Sequence, residues 1–460
     1  MTSWVKVGLF AVTALGAGTY YGFPYMQAQG TAKLRHLPGR TSDGHYQIES
    51  RCDVCHTPFA GVANDACRKC HGAAMEAASD AHPETKFTNP RNAAKTAHLD
   101  ARSCSTCHAE HVAERTSRTG VTLGGDFCGL CHGEIETERP DHKGFPFATC
   151  SQAGCHNFHD NLALTEEYLA RHLGEPRLLA SPKVLARAVP RDPRDPRDPR
   201  DPRDPRDPHD PRDPRDPHEK TTTRADAPAD LEDAKVRTAW SASAHARAGV
   251  VCAKCHDSER TGWRRKPGFA ACRGCHEIEG TAFDGGKHGM RLAVGLPAMT
   301  PALARRPMKT DAATRALGCG TCHDVHGVNT RKAAVEACLG CHDDAHSRAY
   351  PRGPHVAAGV TCATCHLPRA TRRDGDHDVV YVEHDQNANL RPMTKMIRTV
   401  CASCHGVGYA IDALADTALV TANFDREPAR HVETLEMVAA REEMKARKRA
   451  DKARVKEEGK

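Results

Sequence analysis

The amino-acid sequence predicts a mainly α-helical and irregular fold, with short helices, little strand, two domains and one N-terminal transmembrane helix. Three observations carry this prediction. Leu, Ile, Val and Phe number 68 among 460 residues, about 15%, whereas an ordinary packed core needs roughly 20% or more. All 22 cysteines fall into short paired motifs. A proline-rich repeat divides those motifs into two groups.

The charge balance argues against disorder as the explanation for the few aliphatic residues. Disordered chains combine low hydrophobicity with a high net charge. Here 65 basic residues face 59 acidic ones, which leaves a net charge of +6. The chain therefore has to be held together by something other than aliphatic side chains, and we expect no nucleic-acid partner.

Residues 1–30 form the first predicted element, a membrane anchor. The run from Val7 to Met26 contains twenty residues without a charge, which is long enough to span a bilayer. Trp4 precedes this run and Tyr25 lies at its far end, in the manner of interfacial aromatic residues. A cleaved signal peptide is the alternative, but no clean small-residue cleavage site ends the run. We therefore favour an uncleaved helix.

The cysteines partition without remainder into eleven pairs, each followed directly by a histidine. Ten pairs are C-x-x-C-H, and the eleventh, which ends in Cys155 and His156, has four intervening residues. C-x-x-C-H is the attachment signature of c-type haem, in which both thiols form thioether bonds and the adjacent imidazole becomes the proximal iron ligand. The predicted haem-bearing pairs are Cys52 and Cys55, Cys67 and Cys70, Cys104 and Cys107, Cys128 and Cys131, Cys150 and Cys155, Cys252 and Cys255, Cys272 and Cys275, Cys319 and Cys322, Cys338 and Cys341, Cys362 and Cys365, and Cys401 and Cys404. The predicted proximal histidines are His56, His71, His108, His132, His156, His256, His276, His323, His342, His366 and His405.

Zinc sites and disulfide frameworks are the alternatives for paired cysteines. Neither requires histidine directly after the second cysteine, and histidine supplies only 29 of the 460 residues. We therefore predict eleven covalently bound haem c groups. In this interpretation the flat apolar faces of the haem groups replace the missing aliphatic core, and stacked haem groups form much of the interior. The chain is not expected to fold without them.

Four further segments complete the predicted domain organisation. They are a five-haem domain at 31–187, a linker at 188–221, a six-haem domain at 222–432 and a charged helical tail at 433–460. The linker contains nine tandem Arg-Asp-Pro or His-Asp-Pro tripeptides between Arg191 and Pro217. Proline at every third position favours an extended polyproline II rod over a helix. The tail is highly charged and free of proline, which is typical of an exposed helix.

Sixteen histidines remain after the eleven proximal ones and the two in or beside the linker are set aside. They exceed the number of irons in both halves of the chain. His111 and His326 each follow a proximal histidine by three positions, while others closely precede a haem cysteine. This regularity predicts bis-histidine ligation. The predicted distal ligands are His45, His82, His98, His111, His142, His245, His288, His326, His346, His355 and His384.

The motifs Ser50-Arg-Cys-Asp-Val-Cys-His and Ala66-Cys-Arg-Lys-Cys-His, with the longer spacing at Cys150, lie in the amino half. In these features the chain from about residue 36 to 175 resembles class III multihaem cytochromes c and related pentahaem electron donors. The resemblance implies a small low-potential electron carrier with closely stacked bis-histidine haems.

The carboxyl half contains Gly320-Thr-Cys-His-Asp-Val-His and Gly359-Val-Thr-Cys-Ala-Thr-Cys-His. It is more distantly similar to the haem-transfer part of the hydroxylamine oxidoreductase and cytochrome c nitrite reductase group. The C-x-x-C-K active-site motif of those nitrite reductases does not occur in this sequence.

Together these features predict a membrane-anchored electron carrier with eleven six-coordinate haems. Its expected partners are other redox proteins, such as cytochromes, a terminal reductase or a quinol dehydrogenase. Because c-type haem is attached outside the cytoplasmic membrane, the haem domains are predicted in the bacterial periplasm and the N-terminal helix in the cytoplasmic membrane. Two alternatives stay open: an oxidoreductase of a small nitrogen or sulfur compound at a five-coordinate haem, and a quinol-oxidising cytochrome. No acid–base constellation is identifiable, so we favour a carrier over an enzyme.

Overall fold

The structure, a computed structural model, describes residues 37–183 and 225–458, together with 11–16 and 34. Gaps within these ranges fall at 81, 118, 125–126, 144–146, 148–157, 161–163, 230–232, 257–261, 328, 375–376 and 391–394. Most of the apolar N-terminal run, the Arg-Asp-Pro repeat and the motif of Cys150, Cys155 and His156 therefore lie outside the described residues. Within the described ranges, no helix is long and apolar enough to cross a bilayer.

The prediction of a mainly helical fold with little strand is confirmed. The strands of the described chain form two antiparallel hairpins. In the first, β1 (His56–Thr57) pairs with β2 (Gly61–Val62). In the second, β3 (Arg369–Asp374) pairs with β4 (His377–Val382). Each hairpin begins at or shortly after the histidine of a C-x-x-C-H motif, so each extends the backbone away from that histidine.

The chain divides into two compact units, each built from segments that are distant in sequence. The first unit comprises Met1–Pro182, Lys287–Met299 and Asn387–Lys460, and the second comprises Lys183–Gly286 and Thr300–Gln386. This division differs from the domains expected at 31–187 and 222–432. The motif of Cys401 and Cys404 and the expected tail belong with the amino-terminal motifs.

Helices in both units are short, and many coincide with a cysteine motif. The α-helices of the first unit are Cys52–Cys55, Asn64–Ala77, Glu84–Thr88, Ala93–Thr96, Cys104–Cys107, Gly129–His132, Ile135–Glu138, Glu166–Arg171, Met290–Ala293, Lys395–Thr399, Val407–Ala415, Thr417–Thr421 and Thr434–Glu458. Those of the second unit are Ala234–Ser241, Ala244–Arg247, Ala253–His256, Phe269–Arg273, Glu277–Gly285, Cys319–Cys322, Ala337–Leu339, Ala345–Ala349, Pro354–Ala357 and Cys362–His366. The helix Gln386–Leu390 begins at the last residue of the second unit.

Backbone hydrogen bonds explain why the last motif belongs to the first unit. The amide of Gly406 donates to the carbonyl of Pro176 at 3.1 Å, and the amide of Leu179 donates to the carbonyl of Cys404 at 2.8 Å. These bonds join segments more than 220 positions apart in the sequence. Such pairing leaves no local pattern, because neither segment alternates hydrophobic and polar residues in a way that identifies a partner.

The main aliphatic cluster of the described chain also lies in the first unit. Its most buried side chains are Ile397, Val407 and Leu419, each at most 1% exposed. They come from the three helices Lys395–Thr399, Val407–Ala415 and Thr417–Thr421. This cluster is a conventional hydrophobic core, and it is confined to the region on either side of the last cysteine motif.

The expected tail is helical from Thr434 to Glu458, but its first half is packed against the unit. Val438 is buried. Helix Glu166–Arg171 packs against this helix, and Lys445 donates to the carboxylate of Glu166 at 2.7 Å. The expectation of an exposed tail therefore describes only the second half of this helix.

The carboxylate of Asp416 connects several turns around the aliphatic cluster by hydrogen bonds. Its carboxylate accepts hydrogen bonds from the backbone amides of Leu419 and Ala429, each at 3.0 Å, and from Arg426 at 2.9 Å. Its side chain is only 8% exposed. The Arg426 guanidinium, with the amides of Ala429 and Leu419, holds the pKa of the Asp416 carboxyl well below its usual range.

Replacing Asp416 with Asn should lower the midpoint of thermal unfolding of the carboxyl-terminal helices, measured by far-ultraviolet circular dichroism at each pH. A carboxyl whose pKa is lower in the folded state contributes stability above its unfolded pKa, about 3.9, and loses it as the pH falls through the folded value. The difference between the wild type and Asp416→Asn should therefore be full at pH 7 and shrink steadily below about pH 4. An equal difference at pH 7 and pH 2.5 would show that the charge of Asp416 is not involved.

Candidate functional site

Nearly every described cysteine motif forms a single helical turn. In the motif of His56 and in seven others, the histidine amide donates to the carbonyl of the first cysteine, which closes one turn; in those seven the distance is 2.8–3.0 Å. These seven histidines are His108, His132, His256, His276, His323, His342 and His405. The spacing C-x-x-C-H therefore presents two sulfur atoms and one imidazole from the same turn of backbone.

Eight of the motif histidines lie face to face or edge to face with a second histidine from elsewhere in the same unit. The first-unit pairs are His45–His71 at 5.9 Å, His56–His111 at 6.3 Å, His82–His132 at 6.2 Å and His108–His159 at 6.2 Å between ring centres. The second-unit pairs are His245–His276 at 6.0 Å, His256–His326 at 5.7 Å, His323–His384 at 6.1 Å and His346–His366 at 6.0 Å. Each pair combines one motif histidine with one histidine outside the motifs.

These distances match the spacing of two imidazoles bound to one metal ion. A metal–imidazole nitrogen bond measures about 2.0–2.1 Å and the ring centre lies about 1 Å further, so the two ring centres are about 6 Å apart. With two thiols beside one member of each pair, the residues fit a covalently attached haem with a histidine on each side of the iron. A tetrahedral zinc site needs four ligands, and the described residues contain no group of three or more His, Cys, Asp or Glu arranged to hold a metal ion.

Hydrogen bonds to Nδ1 orient many of these rings. Backbone carbonyls accept from His82, His108, His111, His256, His384 and His405 at 2.6–3.1 Å. A proton donated from Nδ1 leaves Nε2 unprotonated and free to bind a metal, and the partner fixes the tautomer and the ring plane. The arrangement thus pre-organises Nε2 as the ligand atom.

Carboxylates take the place of the carbonyl at two rings of the first unit. Glu110 lies 2.6 Å from Nδ1 of His45, and Asp80 lies 3.2 Å from Nδ1 of His159. Burial by itself raises the pKa of Glu110, but hydrogen bonds from His45 and Ser42 outweigh it and lower the pKa to about 2. Glu110 is therefore a fixed negative charge beside His45 at neutral pH.

Burial keeps many of the paired imidazoles neutral. It is the largest cause of a lowered pKa at His71, His82, His108, His132, His323, His326 and His366. At His366 burial, followed by the charge on His346, lowers the pKa to about 4. Neutral imidazole is the form that binds a metal ion, so these rings could act as ligands at pH 7 without a prior loss of a proton.

Thiols from different motifs lie in contact with one another. Each contact joins the first cysteines of two motifs that follow one another in the sequence. The hydrogen-bonded thiol pairs are Cys67–Cys104 in the first unit and Cys272–Cys319 and Cys338–Cys362 in the second. Groups attached to these sulfur atoms would lie side by side, in the order of the chain.

The second cysteine of a motif differs in burial from one motif to another. Cys70 and Cys255 are exposed, whereas Cys365 is half-buried. Cys341 is buried, and its sulfur accepts from the guanidinium of Arg315 at 3.9 Å. The structure therefore presents some second thiols to solvent and holds others within the unit, a difference that the uniform spacing of the motifs does not predict.

Cys131 is half-buried, and its thiol donates to the backbone carbonyl of Lys95 at 3.3 Å. A thioether sulfur has no proton to donate, so haem attachment at Cys131 requires this contact to be given up. Cys155 lies outside the described residues, together with Cys150. Haem attachment therefore stays a prediction at the second cysteine of each motif.

The same order of ligands occurs in both units. His45 and His245 each precede the first motif of their unit by seven positions and pair with the second motif, at ring angles of 70° and 74°. His111 and His326 each follow the third motif and pair with the first. The third-motif pairs, His108–His159 and His323–His384, have ring angles of 28° and 32°. The chain therefore builds one arrangement of three histidine pairs twice.

Seven of the eleven expected distal histidines are members of these pairs, namely His45, His82, His111, His245, His326, His346 and His384. The expected ligands His98, His142, His288 and His355 are not among the eight pairs. Of the motif histidines, His342 and His405 are also not among them, and His156 lies outside the described residues.

His159 is a pair member that the sequence reasoning missed. It faces His108 at 6.2 Å. A signal was available, because His159 follows motif histidine His156 by three positions, as His111 follows His108. His431, by contrast, has both ring nitrogens near carboxylates, Nδ1 at 2.9 Å from Asp412 and Nε2 at 3.3 Å from Glu436, which is a surface ion-pair arrangement.

Comparison of the chain with protein-family models, with curated proteins and with solved structures finds no match. The site is therefore interpreted from its own residues.

Proposed function

We propose that this chain is a multihaem c-type cytochrome that carries electrons between respiratory redox partners through eleven bis-histidine haems. The observation that carries the proposal is the set of eight histidine pairs at 5.7–6.3 Å, each containing the histidine of a cysteine motif. Zinc binding or disulfide formation gives no reason for a second histidine at that distance.

The residues of the chain have separate tasks in this proposal. The two thiols of a motif tether one haem, and the paired imidazoles hold the iron from both sides through Nε2. The haem itself supplies a one-electron ferric–ferrous couple. Hydrogen bonds at Nδ1, such as His108 to the carbonyl of Gly120 at 2.9 Å, keep each ring in place in both oxidation states.

Electron transfer through several haems requires that neighbouring haems be close together. The thiol contacts Cys272–Cys319 and Cys338–Cys362 support such closeness within the second unit. Cys322 is also near Cys338, which links these two pairs. We therefore propose that four motifs of this unit form a relay in chain order.

The proposed location is the periplasmic face of a bacterial cytoplasmic membrane, with residues 1–30 as the anchor. The support is the uncharged run from Val7 to Met26 and the attachment of c-type haem outside the cytoplasm. Other redox proteins are the proposed partners, because six-coordinate haems exchange electrons without binding a substrate.

A change at one distal ligand tests the proposal in the protein matured with its haems. His82→Ala should convert one haem from low-spin to high-spin, since the iron bound to His132 loses its sixth ligand. His82→Met should keep that haem low-spin and raise its reduction potential, because a Met/His ligand set favours the ferrous state. Absorption and electron paramagnetic resonance spectra report both changes.

His431→Ala is the matched control, since His431 is exposed and bonded to carboxylates at both nitrogens. Its spectra should equal those of the wild type. If His82→Ala leaves every haem low-spin, the pair is not a ligand pair. A stoichiometric high-spin haem already present in the wild type would favour the oxidoreductase with a five-coordinate iron.

A further inference from the structure

The distal ligand of the second motif is held by a charge that its counterpart lacks. Nδ1 of His45 lies 2.6 Å from Oε1 of Glu110. Glu110 is itself fixed, since the amide and the hydroxyl of Ser42 donate to its two oxygens, both at 2.7 Å. The side chains of His45 and Glu110 are 35% and 29% exposed, so water screens this interaction only in part.

The matching position in the second unit carries no charge. Cys104-Ser-Thr-Cys-His-Ala-Glu-His aligns with Cys319-Gly-Thr-Cys-His-Asp-Val-His without a gap. Glu110 then corresponds to Val325, whose side chain is exposed. In this alignment His245, the counterpart of His45, is thus matched with a valine where His45 is matched with a carboxylate.

The third motif shows the same difference. Its distal ligand in the first unit, His159, has Nδ1 3.2 Å from the carboxylate of Asp80. Asp80 is held in place by the amide of His82, which donates to its other oxygen at 2.8 Å. In the second unit the counterpart His384 donates instead to the neutral backbone carbonyl of Val382 at 2.8 Å.

A carboxylate and a carbonyl act differently on the iron beyond the ring. A carboxylate that accepts from Nδ1 draws the proton toward itself and makes the imidazole a stronger donor, and its negative charge stabilises the more positive ferric state. Both effects lower the reduction potential. A carbonyl orients the ring without adding a charge, so its effect is smaller.

Building on the proposed function, we infer that the first unit holds the lower-potential members of two matched haem pairs. The haems at the Cys67 and Cys104 motifs have lower reduction potentials than their counterparts at the Cys272 and Cys319 motifs. At equilibrium, an electron shared among these four haems therefore favours the two in the second unit.

Redox titration of the full-length protein with all its haems tests the inference. Glu110→Gln removes the charge but keeps an oxygen that can accept from His45. This variant should raise the reduction potential of one haem. At a fixed solution potential, the ratio of reduced to oxidised haem should increase at least tenfold, which corresponds to a shift of 59 mV for one electron. Asp80→Asn should do the same for a different haem. Glu443→Gln, an equal charge change at an exposed position of the last helix, should leave every potential unchanged.

A second variant identifies the counterpart haem. His245→Met, or His245→Ala if the first does not mature, marks the haem at the Cys272 motif by a raised potential or a high-spin signal. In the wild type the haem marked by Glu110→Gln should have the lower potential of the two. The reverse order, or no shift in Glu110→Gln, overturns the inference. Mass measurement distinguishes a failure of this inference from a failure of the proposed function. A protein that carries fewer than eleven haems contradicts the proposed function, whatever the order of the potentials.

Discussion

A chain made in a cell that cannot attach haem to cysteine should remain largely unfolded and be degraded rapidly. The physical reason is the small amount of apolar burial outside the cysteine motifs. The largest fully buried side chains of the described residues, Ile397, Val407 and Leu419, all lie in the carboxyl-terminal cluster. A chain of this length needs a far larger core to offset the conformational entropy that folding removes.

Limited proteolysis and far-ultraviolet circular dichroism measure this effect. The matured protein should resist trypsin across both units, whereas the haem-free chain should retain protection only around the carboxyl-terminal cluster. The control is the same gene expressed with the c-type maturation machinery, which changes the cofactor and leaves the sequence intact. A haem-free chain that resists trypsin across both units would contradict the proposal that haem forms the core.

Separating the chain at the Arg-Asp-Pro repeat should also have a large effect. The fragments 30–187 and 222–460 divide the first unit, because its segment 387–460 is bonded to residues 175–179. We expect fragment 222–460, made alone, to hold five haems although it carries six motifs. Its region beyond residue 387 should be sensitive to trypsin, since helix Glu166–Arg171 is missing from it.

Two companion experiments make this expectation specific. Co-expression of both fragments should restore the sixth haem, because the missing segment is then supplied in trans. A protease site placed within the repeat of the intact chain allows cleavage after maturation, and the two pieces should then stay associated. Six haems and full protection in the isolated fragment 222–460 would instead support the domain boundaries expected from the sequence.

The local chemistry of the site could be predicted from the sequence because it is contained within one turn of backbone. Cys104, Cys107 and His108 are brought together by a single hydrogen bond from residue five to residue one of the motif. The mainly helical class followed as well, since short motif helices separated by Gly and Pro leave little room for strands. The burial of the second thiol could not be predicted, because it depends on what packs over the turn, as the contrast of exposed Cys70 with buried Cys341 shows.

Distal partners could be predicted only in part, since they depend on which segments pack together. His111 and His326 carried a signal, three positions after a motif histidine, and both are paired. His98 carried a similar local signal but is not among the pairs, while His159 was missed although it faces His108. A histidine that is close to one motif in the sequence can therefore pair with the histidine of a different motif in the folded chain.

The sequence by itself determined the eleven cysteine motifs, their histidines and the helical class, because these depend on neighbouring residues. Only the tertiary structure decided that the motif of Cys401 and Cys404 joins the first unit and that Glu110 lies against His45, 65 positions away. The physical reason is that side chains far apart in sequence meet only after the backbone between them has folded. The free energy of one such contact is small compared with that of the packing that brings the two segments together. A charge placed in this way, which under the proposed function would lower the potential of a haem, leaves no pattern in the sequence around it.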